Sequence, residues 1–181
     1  MEYAEGGTLR NYLRRNFPSL NCQDKYRLAL QLSSAIECLH ENEIVHNDLH
    51  PNSILIQQNS IKLADFGLNK RIIIKGIVQI TLMFDTIPYD DPGEKSQDAE
   101  DKRIVKLEKS DIYSVGVLLW ELSSGKKPFA DKEYNVILAK EITHGLRENI
   151  VEDTPEEYYN LYASKFFYVN LLSFNMFLFF F

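Results

Sequence analysis

Cysteine is scarce in this chain: only Cys22 and Cys38 occur in 181 residues, with no CxxC pair and no histidine at metal-ligand spacing. That argues against a disulfide scaffold or a zinc module and fits a reducing, cytoplasmic compartment. Excess positive charge is missing too. Twenty Lys and Arg against 26 Asp and Glu leave a net charge of −6, which argues against nucleic acid as the main partner, since a phosphate backbone needs a basic face. The N-terminal stretch MEYAEGGTLRNYLRRN has no apolar run, so no signal peptide is expected. There is no internal repeat. Charge vanishes altogether from Phe166 to Phe181, where seven of the chain's 11 Phe lie.

What is present reads as one domain. The length supports a single sizeable core, and 45% hydrophobic with 25% charged residues is ordinary globular composition. Thr8 before LRNYLRRN predicts an N-cap and a short helix stopped at Asn16-Phe17-Pro18. From Asn21 or Cys22 to about Glu41, Leu28, Leu32, Ala35, Ile36 and Leu39 fall at helical spacing, with Gln31, Glu37 and Glu41 away from the stripe. Short β-like pieces follow at Ile44-Val45, Ser53–Ile56 and Ile61–Ala64, the last two joined by a hairpin-type link. Residues 68–110 lack periodicity and read as a long loop, its charged part 94–109 a solvated stretch. A helix starting at Ser110-Asp111 is apolar nearly all round and belongs inside a core. Residues 133–144 predict an amphipathic helix carrying Val136, Ile137, Ala139 and Ile142, stopped by Gly145. Thr154-Pro155-Glu156-Glu157 predicts one more helix start. The expected class is mainly α with a small β element.

Three segments carry chemistry in combination: Val45–Leu55 around Asp48, Leu63–Leu68 with Asp65 before Phe66-Gly67, and Ser110–Leu122 opening with Asp111. A loop carboxylate followed by a second one at a strand end suits divalent-metal and phosphoryl chemistry. Mg2+ takes hard oxygen ligands, and the other carboxylate can position a hydroxyl nucleophile. Singly, each is as well explained by a turn or a cap. Their order and spacing give them weight.

With those segments in place, the chain resembles the C-terminal lobe of a eukaryotic protein kinase, from residue 1 to about 163. His46-Asn47-Asp48-Leu49-His50-Pro51 is similar to the catalytic-loop motif H-R-D-L-K-P, and Asp65-Phe66-Gly67 matches D-F-G. Met1–Leu9 resembles the hinge that reads adenine. His50, Thr86–Tyr89 and the run from Ser110 to Phe129 look most like the tyrosine-kinase-like group of serine/threonine kinases. The resemblance implies an α+β family fold represented by its helical lobe, with residues 1–165 a partial kinase domain and 166–181 a tail outside the pattern. It implies ATP and Mg2+ as cofactors, a protein Ser/Thr substrate, and γ-phosphoryl transfer. By it, Asp48 and His50 are catalytic, with Asp48 receiving the substrate proton. Asp65 and Ser53 stand at metal positions, and Glu2, Ala4, Thr8 and Leu55 at nucleotide positions. Asp111 would brace the catalytic loop, Thr86 shape the peptide pocket, and His46 stack with Phe66.

The departures shape the expectation of activity. Ser53 stands where the family has Asn, Asn47 replaces an Arg that pairs with an activation-loop phosphate, and His50 replaces Lys. Asp91-Pro92-Gly93 stands at A-P-E, with Glu94 one position late. The chain starts at the hinge, so the N-terminal lobe with its Gly-rich loop, strand Lys and regulatory-helix Glu is expected to be absent. Transfer is therefore expected to be impaired. A pseudokinase-like binding module and a non-functional gene fragment are the alternatives. The tail reads as a chain end foreign to the domain. Sixteen residues fall short of the roughly 17–25 that a membrane helix needs, and a membrane contact through Lys165 is the less favoured reading.

Overall fold

The structure, a computed structural model, describes residues 4–65, 84–93 and 103–166. Among the described residues lie the elements α1 (Leu9–Asn16), α2 (Cys22–Glu41), β1 (Ile54–Gln57), β2 (Ser60–Leu63), α3 (Arg103–Ser124), α4 (Val136–Thr143) and α5 (Glu156–Phe166), β1 and β2 forming a two-stranded sheet, with residues 84–86 also helical. Short 3-10 turns lie at Phe17–Ser19 and Ile87–Tyr89. The mainly helical architecture expected from the sequence is the one observed.

The starts of α1 and α2 have local causes. The Thr8 hydroxyl accepts from the Asn11 N–H at 3.3 Å. At α2, Asn21 and Asp24 satisfy each other's backbone N–H groups reciprocally, a capping box that uses Asp in place of Glu. The end of α2 is also closed: Ile44 N–H bonds to Leu39 O and Glu43 N–H to His40 O, with Glu43 left-handed at φ 58°. That pattern is a Schellman motif. It also explains why Ile44-Val45, expected as β, is not a strand. The Ile44 N–H is spent on the helix end, and among the described residues no strand pairs with this segment.

The core forms around α3. Residues Tyr113–Ser123 are all buried, as the unbroken apolar sequence required. The start of α3 departs from expectation. The helix begins at Arg103, so Ser110-Asp111 lies within it rather than at its opening, and Ser114 Oγ donates to Ser110 O inside the helix at 3.0 Å. Good helix formers from Arg103 to Lys109 extend the helix backward into what reads as loop. Gly125, left-handed at φ 68°, ends it.

Around this axis α2 and α5 pack directly on α3. Tyr158 of α5 donates its hydroxyl to Leu119 O at 3.0 Å, and burial pushes that phenol far above its usual range. Trp120 Nε1 donates to Asn149 O at 2.8 Å. In α4 the expected inner face holds at Ile142 and is corrected at Val136 and Ile137. Val136 and Ile137 are 58% and 66% exposed, while Leu138 and Ile142, one turn apart, are buried. The Asn135 cap on Ile137 and Leu138 N–H sets that phase. The expected hairpin forms, with Ile54 opposite Leu63 and Gln57 opposite Ser60. It is pinned to α2 by Gln31, whose side-chain oxygen accepts from Ile61 N–H at 2.9 Å. Gln31 was expected on the outer face.

Among the described residues no helix is long and apolar enough to cross a membrane. Phe66-Gly67, most of the 68–110 stretch, Glu2, Glu94 and the tail beyond Phe166 lie outside the described residues.

Candidate active site

The loop from Val45 to Ser53 connects α2 to β1, and one carboxylate holds its entrance. Asp111 accepts from His46 N–H and Asn47 N–H, both at 2.8 Å, through its two oxygens. Its Oδ2 is also 2.9 Å from His40 Nε2. Asp111 is 1% exposed, and these hydrogen-bond partners offset the cost of burying its side chain. Asn47 takes φ 58°, a left-handed conformation that Asn adopts at lower cost than most residues. Two successive N–H groups can thereby face the same carboxylate. The expected brace at Asp111 is present, reached from the middle of α3.

The loop is tied at three further points. The buried His46 ring sits with Nε2 3.1 Å from Ala64 O, which makes that nitrogen the donor. Ala64 N–H bonds to Ser53 O at 2.9 Å. His46 and Ser53 together grip the residue before Asp65, fixing the end of β2 against the loop. Asp65 is exposed, with φ 63°. Ser53, 1% exposed, closes the loop internally: its hydroxyl donates to His50 O at 2.9 Å and accepts from His50 N–H at 3.1 Å.

Asp48 and His50 come together. His50 Nε2 lies 3.7 Å from Asp48 Oδ1, and both side chains are partly exposed. His50 Nδ1 receives the Asn52 N–H at 3.2 Å, so in the neutral ring the proton sits on Nε2, facing the carboxylate. Leu49 between them is buried and anchors the loop.

The opposite wall is built from the first residues. Gly6 N–H bonds to Ile56 O and Ile56 N–H to Gly7 O, each at 2.9 Å, and Thr8 forms a β-bridge with Leu55. A Cβ on Gly6 would lie 2.7 Å from Ile56 O, so only glycine permits this approach. Ala4 joins through a turn, its carbonyl accepting from Gly7 N–H at 3.0 Å. Ala4, Thr8 and Leu55 are therefore brought together. Arg10 N–H reaches Pro51 O at 3.3 Å and fastens this wall to the Asp48 loop. Thr86 is half-buried, one residue before the 3-10 turn.

Among the described residues no group of three or more His, Cys, Asp or Glu could hold a metal ion. The donors at the expected metal positions are unequal. Asp65 offers an exposed hard carboxylate, which fits Mg2+. The Ser53 hydroxyl already uses its proton and one lone pair within the loop. Sequence reasoning missed His40, Gln31 and the Gly6–Ile56 approach. No motif marks them, because each acts through a partner distant in sequence.

A family profile described as protein tyrosine and serine/threonine kinase matches residues 1–166. The chain is 36% identical over 140 residues to the serine/threonine-protein kinase PrkC of Bacillus subtilis, covering 77% of this chain and 20% of that protein. It is 29% identical over 157 residues to the probable serine/threonine-protein kinase PknB of Lactococcus lactis, covering 86% and 24%. A putative leucine-rich repeat receptor-like serine/threonine-protein kinase of Arabidopsis thaliana is 36% identical over 131 residues, covering 69% and 14%. The chain thus spans a quarter or less of the length of these relatives. A loop braced from the central helix, a strand end carrying Asp65 and a profile match over residues 1–166 agree: this chain belongs to the protein kinase family.

Proposed function

We propose that the chain carries the C-lobe machinery of a serine/threonine kinase of the tyrosine-kinase-like group, transferring the ATP γ-phosphate to Ser or Thr hydroxyls of a protein. Residues 1–165 form the kinase-like region and 166–181 the segment outside the pattern. The observation that carries this reading is the Asp111 brace, which gives the loop around Asp48 a rigid entrance. Preorganised groups are what phosphoryl transfer asks of a protein, since it is mostly positioning and electrostatics.

In this reading Asp48 receives the hydroxyl proton as the new oxygen–phosphorus bond forms and the bond to the leaving nucleotide breaks. His50 Nε2–H steadies the Asp48 carboxylate and, when protonated, offers charge to the transferring group. Ala4, Thr8 and Leu55 line the adenine side, with Glu2 ahead of them. Asp65 holds Mg2+. When bound, the ion neutralises phosphate charge. Ser53 stands at the second metal position with one lone pair to give, so this position binds more weakly than Asp65 does. Thr86 shapes the peptide side. The exposed cysteines, Cys22 and Cys38, suit a cytoplasmic setting.

A second reading has its own support. A Ser53 hydroxyl committed to His50 favours a pseudokinase-like module that binds nucleotide without transfer. Purified chain, Mg·ATP and a generic Ser/Thr protein substrate separate the readings. Weak transfer abolished by Asp48→Asn and by Asp65→Ala supports the kinase reading. Nucleotide binding without transfer supports the module. Turnover that survives Asp48→Asn overturns the assignment of Asp48.

A further inference from the structure

Away from the Asp48 loop, two buried polar groups and a part-buried arginine from separate elements close on one another. Glu121 of α3, 2% exposed, pairs with Arg10 of α1, Oε1 to Nη1 at 3.2 Å. The Tyr89 hydroxyl donates to Glu121 Oε2 at 2.7 Å and lies 2.6 Å from Arg10 Nη2. Tyr89 belongs to the 3-10 turn after Thr86, and its carbonyl accepts from Ser114 Oγ of α3 at 2.7 Å. Arg10 is the residue whose backbone reaches Pro51 in the Asp48 loop. One carboxylate thus joins the central helix, the wall helix and the 87–91 segment.

We propose that Arg10, Glu121 and Tyr89 form a proton-operated latch. The charged carboxylate clamps Arg10 and the Tyr89 hydroxyl together and docks the 87–91 segment, and uptake of one proton by Glu121 frees Arg10 and loosens that segment. Burial pushes the Glu121 carboxyl up to about 7, against the pull of Arg10, of the Tyr89 hydrogen bond and of Lys127. Lys127 in turn lies 3.4 Å from Asp85, and its Nζ sits over the Tyr134 ring. Tyr134 lies near Tyr89 and is held neutral by burial against the pull of Arg10, with Glu121, Asp85 and Glu148 adding to the effect of burial. Arg10 is the mobile member, because its side chain is 25% exposed and can turn outward. Glu121, on α3, stays buried when Arg10 leaves. The open arrangement therefore holds the proton more tightly than the closed one, and acid favours opening. Global unfolding hydrates Glu121 and has the opposite pH dependence, so the two processes are distinguishable by sign.

The test is hydrogen exchange by mass spectrometry on the full chain at about pH 6 and about pH 8, on either side of the Glu121 transition, with rates corrected for intrinsic pH dependence. Protection of the peptide covering 84–93 is expected to fall roughly tenfold at the lower pH, the loss of about one charge-assisted hydrogen bond. A peptide from within α2 shows no such fall. Glu121→Gln gives low, pH-independent protection at 84–93. Tyr89→Phe removes a bond that favours the carboxylate and moves the transition to higher pH. Wild-type protection that is flat or rises in acid overturns the latch, and so does a retained pH dependence in Glu121→Gln. If Glu121→Gln does not fold, an unmoved transition in Tyr89→Phe overturns it. The measurement reads no phosphoryl transfer, so its outcome is independent of the proposed function.

Discussion

Replacing Asp111 by Asn removes one negative charge and turns one of its two acceptors into a donor. The carboxylate accepts from two backbone N–H groups at 2.8 Å and pairs with His40 at 2.9 Å, all at a position 1% exposed. The Asn oxygen can still take one N–H. Its NH2 group then faces the other N–H, two donors with no water between them. Hydrogen bonds to charged groups contribute about 1.5–3 kcal/mol each, and a stranded buried donor adds about 1–3 kcal/mol. Asp111→Asn should therefore cost about 3–5 kcal/mol, a large share of the roughly 5–15 kcal/mol available to a domain. Trp120, the single tryptophan, is buried on α3 with its indole N–H bonded to Asn149 O, so urea unfolding can be followed by its fluorescence. The expected result is a lower midpoint with an unchanged slope. His40→Phe, which removes only the third partner, should cost less than Asp111→Asn. A midpoint shift in Asp111→Asn worth under about 1 kcal/mol would refute the reasoning, because two charge-assisted bonds could not then depend on this side chain.

Three further outcomes follow from the same structure. Glu121 has its folded pKa raised from 4.5 to about 7, so the folded state binds the proton more tightly than the unfolded chain does. Global stability should be greatest below about pH 4.5 from this group and fall by about 3 kcal/mol as pH rises to about 7, and Glu121→Gln should flatten that slope in denaturant titrations. Ser53→Ala removes both hydroxyl bonds to His50 and leaves a cavity too small to matter. It should cost about 1–2 kcal/mol in the same assay, and a neutral result would show that the hydroxyl does not close the loop. Gly6→Ala drives a Cβ to 2.7 Å from a backbone oxygen, so it should destabilise by about 1–3 kcal/mol and weaken nucleotide binding by calorimetry. Unchanged stability would mean that the Gly6–Ile56 pairing opens freely.

The local elements were readable in sequence because their causes are local. Thr8 and Asn21 announce helix starts within three residues of themselves, Gly125 and Gly145 announce stops, and both lie at positive φ, 68° and 99°. The hairpin follows from two β-branched runs and a polar link. Misreadings arose where neighbours outvoted local pattern. Ile44-Val45 has β propensity, but the Ile44 N–H closes the end of α2 and no strand among the described residues pairs with it. Val136 and Ile137 look like an inner face with Ile142, yet of these three only Ile142 is buried, and it is Leu138, one turn before it, that shares the core. The charged stretch before Ser110 looks solvated, yet from Arg103 onward it is helix.

The sequence by itself determined the family, since the order and spacing of Asp48, Asp65 and Asp111 are written along the chain, as is the apolar run of the central helix. Only the tertiary structure decided how those residues are held. Asp111 reaches back 64 residues to the Asn47 N–H, Gln31 reaches forward 30 to Ile61, and Arg10 crosses 111 positions to Glu121. Such partners are chosen by where helix and loop backbones meet in space. The energies that select them, burial of charge and satisfaction of donors, come into force only when water has been excluded.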